Sequence, residues 1–376
     1  MAASRRGFLA GTMILMGARN MSAAPAQGTE MPKRTLGKTG LKPTLLGFGC
    51  MTTSDPTVIE QAADAGINWF DTARGYQNGN NERMVGAALK GRRDKLHITS
   101  KTPGRTKADA LAHLDTTLKE LQTDHIDVWY LHSRSTPSAC PDELFDAQDE
   151  AVKAGKARFK GVSFHSGHKE MIPFLIGKKR TDVLLMSYNF TMAETIDPLI
   201  EQASAAGLGT VAMKVMAGGF RSNKPGSPLH EKFSKEGTMA AALKWAIKKP
   251  FIHTSIPGIM DTDQLDENFK AVIAGYKPEV DGKLLAAQLE RITPLYCRMC
   301  GACTGQCPQG LPVSDMIRYV SYAEGYGEFA LGRDQFKLLP QEVQDVRCGD
   351  CAKCKVSCPN GVRIAQRVGR AQELFA

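Results

Sequence analysis

The chain has 376 residues, enough for one large domain and a smaller one, and its 42% hydrophobic content supports a real core. A net charge of +9 is spread along the sequence with no basic stripe interleaved with aromatics, which argues against nucleic acid as a partner.

The first segment reads as an address rather than as structure. Ser4-Arg5-Arg6-Gly7-Phe8-Leu9 is a twin-arginine pattern, and the apolar run at 8–18 is too short to span a bilayer. Ala24-Pro25-Ala26 offers small residues to a signal peptidase. Residues 1–26 resemble a bacterial twin-arginine signal, which implies a periplasmic protein; the alternative is a disordered cytoplasmic tail. No later segment reads as transmembrane, so no stable span is expected after cleavage.

Residues 27–275 alternate strand and helix. Strands are predicted at 45–48, 67–71, 96–101, 126–132, 158–164, 183–187, 210–214 and 252–257. Helices are predicted at 57–65, 82–89, 107–121, 142–154, 169–176, 195–206, 239–248 and 262–274. Eight such units predict an α/β fold of the (β/α)8 TIM-barrel class rather than an open sheet. Segments 33–36 and 41–43 are expected to form a hairpin that plugs the barrel bottom. Segment 215–237, with Arg221, Lys224, His230 and Lys235, is expected to cover the site.

Four polar residues fall at consecutive strand ends. Asp71 ends the second strand with Tyr76 just beyond it, Lys101 ends the third and His132 the fourth. Barrel active sites form at the C-terminal strand ends, so these four are expected to converge as catalytic residues. A lysine cation is expected to lower the tyrosine pKa, a carboxylate to hold the lysine, and a histidine to orient a carbonyl oxygen. Such a set serves carbonyl reduction, with Tyr76 giving the proton.

From 33 to 274 the chain resembles the aldo-keto reductase family. The resemblance rests on Arg34-Thr35-Leu36-Gly37-Lys38-Thr39-Gly40, Phe70-Asp71-Thr72-Ala73 with Tyr76, and Asn81-Glu82-Arg83-Met84-Val85-Gly86. Thr99-Ser100-Lys101, Tyr130-Leu131-His132, Ile256-Pro257-Gly258 and Asp266-Glu267-Asn268 complete it. It implies an aldo-keto reductase type barrel, reduction of aldehydes or ketones, and an NAD(P)H cofactor bound extended. The implied cofactor-binding positions are Ser163, Asn189, Met213, Lys214, Gly258, Gln264, Glu267 and Asn268. A branch of the family carries a ferredoxin-like extension.

Departures cluster on the cofactor side. Leu185 stands where the family often has a glutamine, and Met213 stands where a tyrosine commonly stacks on the nicotinamide. Leucine cannot donate to a carboxamide, and methionine is a softer, less planar platform. Gln264 takes the place of an arginine that commonly clamps the adenosine 2′-phosphate, which weakens any preference for NADP over NAD.

A linker with a short helix is expected at 276–293, followed by a metal-binding domain at 294–376. Cys297, Cys300, Cys303, Cys307-Pro308 and Cys348, Cys351, Cys354, Cys358-Pro359 repeat one spacing, the bacterial ferredoxin run. Three thiolates of each run can cap one cubane, and the fourth serves the other. One [4Fe–4S] cluster is thus expected on Cys297, Cys300, Cys303 and Cys358, and a second on Cys348, Cys351, Cys354 and Cys307. Disulfides and zinc are the competing readings; the doubled spacing and shared proline disfavour both. Cys50 and Cys140 fall outside the pattern and are expected to be packed. Predicted helices at 314–322, 340–346 and 363–374 resemble the α-helical ferredoxin module of respiratory iron–sulfur subunits.

Together these features predict an exported iron–sulfur oxidoreductase acting on a small carbonyl or quinone-like substrate, with a redox partner protein as electron source. An ordinary NAD(P)H-dependent reductase with structural clusters and a non-catalytic electron-transfer or docking module are the alternatives.

Overall fold

The computed structural model describes residues 30–219, 237–351 and 353–376. The twin-arginine segment and most of the expected cover, including Arg221, Lys224, His230 and Lys235, lie outside the described residues. Strands β1 (Phe48–Gly49), β2 (Trp69–Asp71), β3 (His97–Thr102), β4 (Ile126–Leu131), β5 (Ala157–Phe164), β6 (Val183–Ser187), β7 (Gly209–Met213) and β8 (Thr254–Ser255) pair in sequence order, all parallel. Parallel bridges from Leu46 to Ser255 and from Gly49 to Gly258 bring β8 back to β1, so the sheet closes as a barrel.

The outer helices are α1 (Pro56–Asp64), α2 (Asn80–Ala88), α3 (Lys107–Leu121), α4 (Asp142–Lys153), α5 (His168–Lys178), α6 (Ala193–Ala205), α7 (Thr238–Ile247) and α8 (Thr262–Ala274). Their starts follow local chemistry. Asp55 accepts from Thr57 N at 2.9 Å ahead of Pro56, and Asp261 accepts from Gln264 N at 2.8 Å.

The first and last strands are shorter than expected. The seam is held by a short ladder: Ser255 N to Leu45 O at 3.1 Å, Gly47 N to Ser255 O at 2.7 Å and Gly49 N to Pro257 O at 3.0 Å. Pro257 has no N–H to give back, so the ladder lacks its donor at that position.

The barrel interior is apolar and filled. Trp69, Tyr130, Leu185, Val211 and Met213 pack there with Leu36 and Leu41, contributed from below by the N-terminal hairpin around the Lys33–Thr44 bridge. Gly161 makes room for Tyr130, since a Cβ there would lie 2.2 Å from the ring.

Residues 276–293 are more than a linker with a short helix. Helix α9 (Pro278–Ile292) runs 15 residues along α7, where Lys244 Nζ pairs with the buried Asp281 at 2.5 Å. Beyond it come α10 (Val313–Glu324), α11 (Phe329–Lys337), α12 (Gln341–Asp345) and α13 (Ile364–Phe375). The region is helical, as the sequence implied, with its own core of Met316, Ile317, Val320, Phe336, Val368 and Phe375. Helix α11 escaped the sequence reading because Gly332 interrupts its pattern. That glycine lets it approach α10 and α13, where a Cβ would lie 2.7 Å from both Tyr319 O and the Phe375 ring.

Candidate active site

The barrel brings Asp71, Tyr76, Lys101 and His132 together at its C-terminal mouth. Lys101 is 1% exposed and donates to Asp71 Oδ2 at 2.5 Å and to Thr72 O at 2.6 Å. Thr99 occupies the other carboxylate oxygen at 2.7 Å, so Asp71 is satisfied on both sides. Tyr76 hangs over the pair on a turn whose next two residues, Gln77 and Asn78, have φ of 50° and 53°. Its ring centroid lies 4.7 Å from Lys101 Nζ. The His132 ring meets it edge-on at 5.8 Å.

The electrostatics correct one expectation. Burial outweighs the neighbouring ammonium and pushes Tyr76 up to about 12, not down. Burial also opposes the Lys101 charge, but Asp71 and Tyr76 outweigh it, and the ammonium is held above its usual range. His132 is driven well below its usual value by burial, then by Lys101, Arg134, Arg318 and Lys214, so its ring is neutral.

Arg318 belongs to α10, so part of the mouth is built by the C-terminal region. Asn189, just after β6, donates to Lys214 O and to the Tyr296 hydroxyl, both at 3.1 Å. Ser187 at the end of β6 donates to Met299 Sδ at 3.7 Å, and its hydroxyl lies 3.2 Å from His165 Nδ1. Lys214, beyond β7 with a left-handed φ of 59°, places its Nζ 4.5 Å from the Tyr322 ring centroid and 5.3 Å from that of Tyr326. Backbones touch as well: a Cβ on Gly325 would lie 1.9 Å from Gly218 O.

This docking decides how the nicotinamide end of the expected cofactor site fits its ligand. Leu185 and Met213 are buried in the barrel interior. Ser163 Oγ accepts from Ser133 N at 2.9 Å and donates to Leu131 O. The Asn189 amide is committed to Lys214, Tyr296 and Thr191. The donors a carboxamide needs are thus satisfied by the chain itself, and Tyr296 and Met299 stand on the strand ends. A nicotinamide does not fit these residues. The adenosine end is different. Gly258 faces Thr52, Gln264 is bonded within its own turn to Asp261 at 3.2 Å, and Glu267 and Asn268 lie on α8. Asn268 Oδ1 is buried without a hydrogen-bond partner among the described residues.

The cysteines separate into two groups. Cys297 feels the charges of Cys303, Cys300 and Cys358, whereas Cys348 feels those of Cys354, Cys307 and Cys351. Each group therefore takes one member from the opposite run. The second group faces a cavity closed by Leu311, Val313, Ile364 and Val368. In the first, Met299 N–H points at Cys297 Sγ and Asn360 Nδ2 at Cys300 Sγ, both at 3.3 Å. Two such thiol quartets, the first with N–H donors on sulfur, suit iron–sulfur cubanes. Among the described residues no three His, Cys, Asp or Glu side chains gather around one point as they would for a single ion. Cys50 and Cys140 are buried elsewhere, and burial holds Cys140 up at about 11.

Sequence reasoning did not single out Tyr296, Met299, Arg318, Tyr322 or Tyr326 as site residues. They sit far along the chain from the strand ends they meet, and no spacing rule connects the two.

Comparison with known proteins agrees with this architecture. Residues 51–280 match the Aldo/keto reductase family, and residues 296–364 match the 4Fe-4S dicluster domain. An uncharacterized oxidoreductase of Bacillus subtilis is 25% identical over 304 residues, covering 69% of this chain and 97% of that protein. The L-glyceraldehyde 3-phosphate reductase of Escherichia coli O157:H7 is 26% identical, covering 66% and 90%. The holo form of an aldo-keto reductase from Bacillus halodurans superposes with a TM-score of 0.58 at 27% identity, covering 68% and 96%.

Proposed function

The chain belongs to the aldo/keto reductase family, and from that premise we propose that it is an exported oxidoreductase that reduces a small carbonyl compound, or oxidises the matching alcohol, at its barrel mouth. Electrons enter through two [4Fe–4S] clusters, one on Cys297, Cys300, Cys303 and Cys358 and one on Cys348, Cys351, Cys354 and Cys307, not through a nicotinamide. The observation that carries this reading is the seat of Tyr296 and Met299 on Asn189 and Ser187. Tyr296 and Met299 flank Cys297, which supports a cluster lying beside the strand ends where the family resemblance implies the cofactor. The twin-arginine pattern adds support, because such signals carry folded proteins and the periplasm is not expected to hold a recycling nicotinamide pool. Among the described residues no helix is long and apolar enough to cross a membrane.

When bound, the clusters supply single electrons. Lys101, fixed by Asp71 and Thr72, holds the Tyr76 hydroxyl toward the carbonyl oxygen. Neutral His132 gives that oxygen a hydrogen bond without competing for its proton. A hydroxyl at about 12 does not protonate a neutral carbonyl, but it does protonate an alkoxide-like oxygen. The Tyr76 proton therefore moves as charge develops on the substrate. Each carbonyl takes two electrons and two protons, so a one-electron partner must deliver twice.

The test is anaerobic purification of the mature protein, with iron, sulfide and any released nucleotide measured. Fluorescence titration should detect no NADH or NADPH binding. Titanium(III) citrate should support turnover of a panel of aldehydes and quinones, and Tyr76→Phe should lower it about 10²–10⁴-fold with cluster spectra unchanged. NADH oxidation by an aldehyde while the clusters stay redox-silent would reject the reading. The unpartnered Asn268 Oδ1 is what favours that second reading, a conventional NAD(P)H reductase with structural clusters.

A further inference from the structure

A hydride brings the new C–H bond with it; single electrons do not. If electrons arrive one at a time, as proposed above, the balance at the substrate is C=O + 2 e⁻ + 2 H⁺ → CH–OH. Tyr76 supplies the proton on oxygen. The proton on carbon needs a second donor inside a closed site, and in the family's hydride chemistry no residue has that task.

The structure holds a second buried tyrosine–lysine pair at the same mouth. Tyr322, 4% exposed on α10, lies with its ring centroid 4.5 Å from Lys214 Nζ, close to the 4.7 Å between Tyr76 and Lys101. Lys214 also favours the Tyr322 phenolate by its charge, as Lys101 does that of Tyr76. Tyr326 stacks on the other ring at 5.8 Å and 21°, which fixes its plane. One turn earlier Arg318 adds a second cation, paired with Asp315 at 2.8 Å. The two tyrosines are near enough for Tyr322 to raise the pKa of Tyr76 by its charge. One pair stands on the barrel; the tyrosine of the other comes from the cluster domain.

We infer that Tyr322, held by Lys214, is the second proton donor of the reaction and protonates the substrate carbon as the second electron arrives. The electrons come from a one-electron donor through the iron–sulfur sites, and both tyrosinates are reprotonated from solvent. The charges agree with the role. Burial raises the Tyr322 pKa, but Lys214 and Arg318 outweigh it and bring it below 10, while Tyr76 stands at about 12. Tyr322 is the readier donor, which suits the carbon, since proton transfer to carbon is intrinsically slower than to oxygen. Its place on α10 also ties protonation to docking: with the cluster domain undocked, neither the electrons nor this proton reach the substrate.

The experiment uses the holoprotein, reduced with titanium(III) citrate in D₂O, with benzaldehyde as probe. The wild type should give benzyl alcohol carrying one solvent deuterium on carbon, in a single configuration. Tyr322→Phe, with iron content and cluster spectrum retained, should react about 10²-fold more slowly or worse. Its residual product should be configurationally mixed, because water then reaches either face. Lys214→Gln, on the barrel side, should also slow the reaction and erode the configuration, and it replaces the first variant if that one loses its clusters. Carbon deuteration with unchanged rate and configuration in these variants would overturn the inference and leave the electron route standing. Absence of solvent deuterium on carbon, or no alcohol at all, would overturn the electron route itself.

Discussion

Asn189 donates a hydrogen bond to the Tyr296 hydroxyl at 3.1 Å, although the two residues are 107 positions apart. One lies just after β6, at a position the family resemblance assigns to the cofactor; the other immediately precedes the first cysteine of the cluster domain. This bond, with Met299 on Ser187, makes the cluster domain part of the active-site wall rather than an appendage.

Docking should therefore be separable from cluster content. Gly325 has no room for a side chain beneath Gly218 O, where a Cβ would sit 1.9 Å away. Gly325→Val is predicted to lift α10 from the loop after β7. Turnover should fall at least about tenfold, as expected of a misplaced donor, while iron content stays that of the wild type. Hydrogen exchange should rise around Ser187, Asn189 and Lys214. Unchanged exchange there would show that the contact is not a constraint.

Lys101→Met leaves Asp71 buried without its cation. Removing one partner of a buried pair costs about 3–5 kcal/mol. The variant should show that loss in denaturant unfolding, beyond any loss of activity, and Asp71→Asn/Lys101→Met should recover part of it. An undiminished unfolding midpoint in the single variant would contradict the pair's assigned place.

The crossed ligand sets predict crossed phenotypes. Cys358→Ser lies in the second run but should disturb the site formed by Cys297, Cys300 and Cys303, the one nearest the barrel. Cys307→Ser should disturb the site formed by Cys348, Cys351 and Cys354. Electron paramagnetic resonance of each reduced variant should lose the signal of the opposite run. Loss of the signal from the mutated residue's own run would reverse the assignment.

Four histidines are held below their usual value, chiefly by burial: His132 and His165 well below it, His168 and His253 to about 4. Each is neutral in the folded protein, while in the unfolded chain it takes a proton below about 6.5. The unfolded state thus binds more protons, and stability falls as pH drops from about 6.5 toward 4, by up to about 1.4 kcal/mol per pH unit per histidine. Above pH 7 these groups contribute no slope. Urea midpoints at pH 7.5, 6 and 5 check this, and a midpoint insensitive to acid would refute it.

Much of this was legible in the sequence, and what was not has a common cause. Strand ends carrying Asp71, Lys101 and His132 could be placed because side-chain chemistry and strand spacing are local signals. The two cysteine runs were legible because ligand spacing is itself geometric. The pKa of Tyr76 was misjudged because burial dominates it and a distant charge, that of Tyr322 more than two hundred residues later, adds to it. The roles of Tyr296, Met299 and Tyr322 depend on how one domain sits on another, which no periodicity records. Leu185 and Met213 did give a warning, since both lack the polar or planar groups expected at their positions. Only the docked structure shows what stands there instead.

The central claim is that electrons reach the Tyr76 site from the iron–sulfur centres. A single-turnover experiment tests it most directly. Protein reduced by titanium(III) citrate, freed of excess reductant and of all nucleotide, is mixed anaerobically with benzaldehyde while its cluster absorbance is followed. The account predicts that the clusters reoxidise as alcohol appears, two electrons per product, in the wild type and not in Tyr76→Phe. Clusters that stay reduced until the mixture is left to air, with alcohol formed only on adding NADH or NADPH, would contradict it.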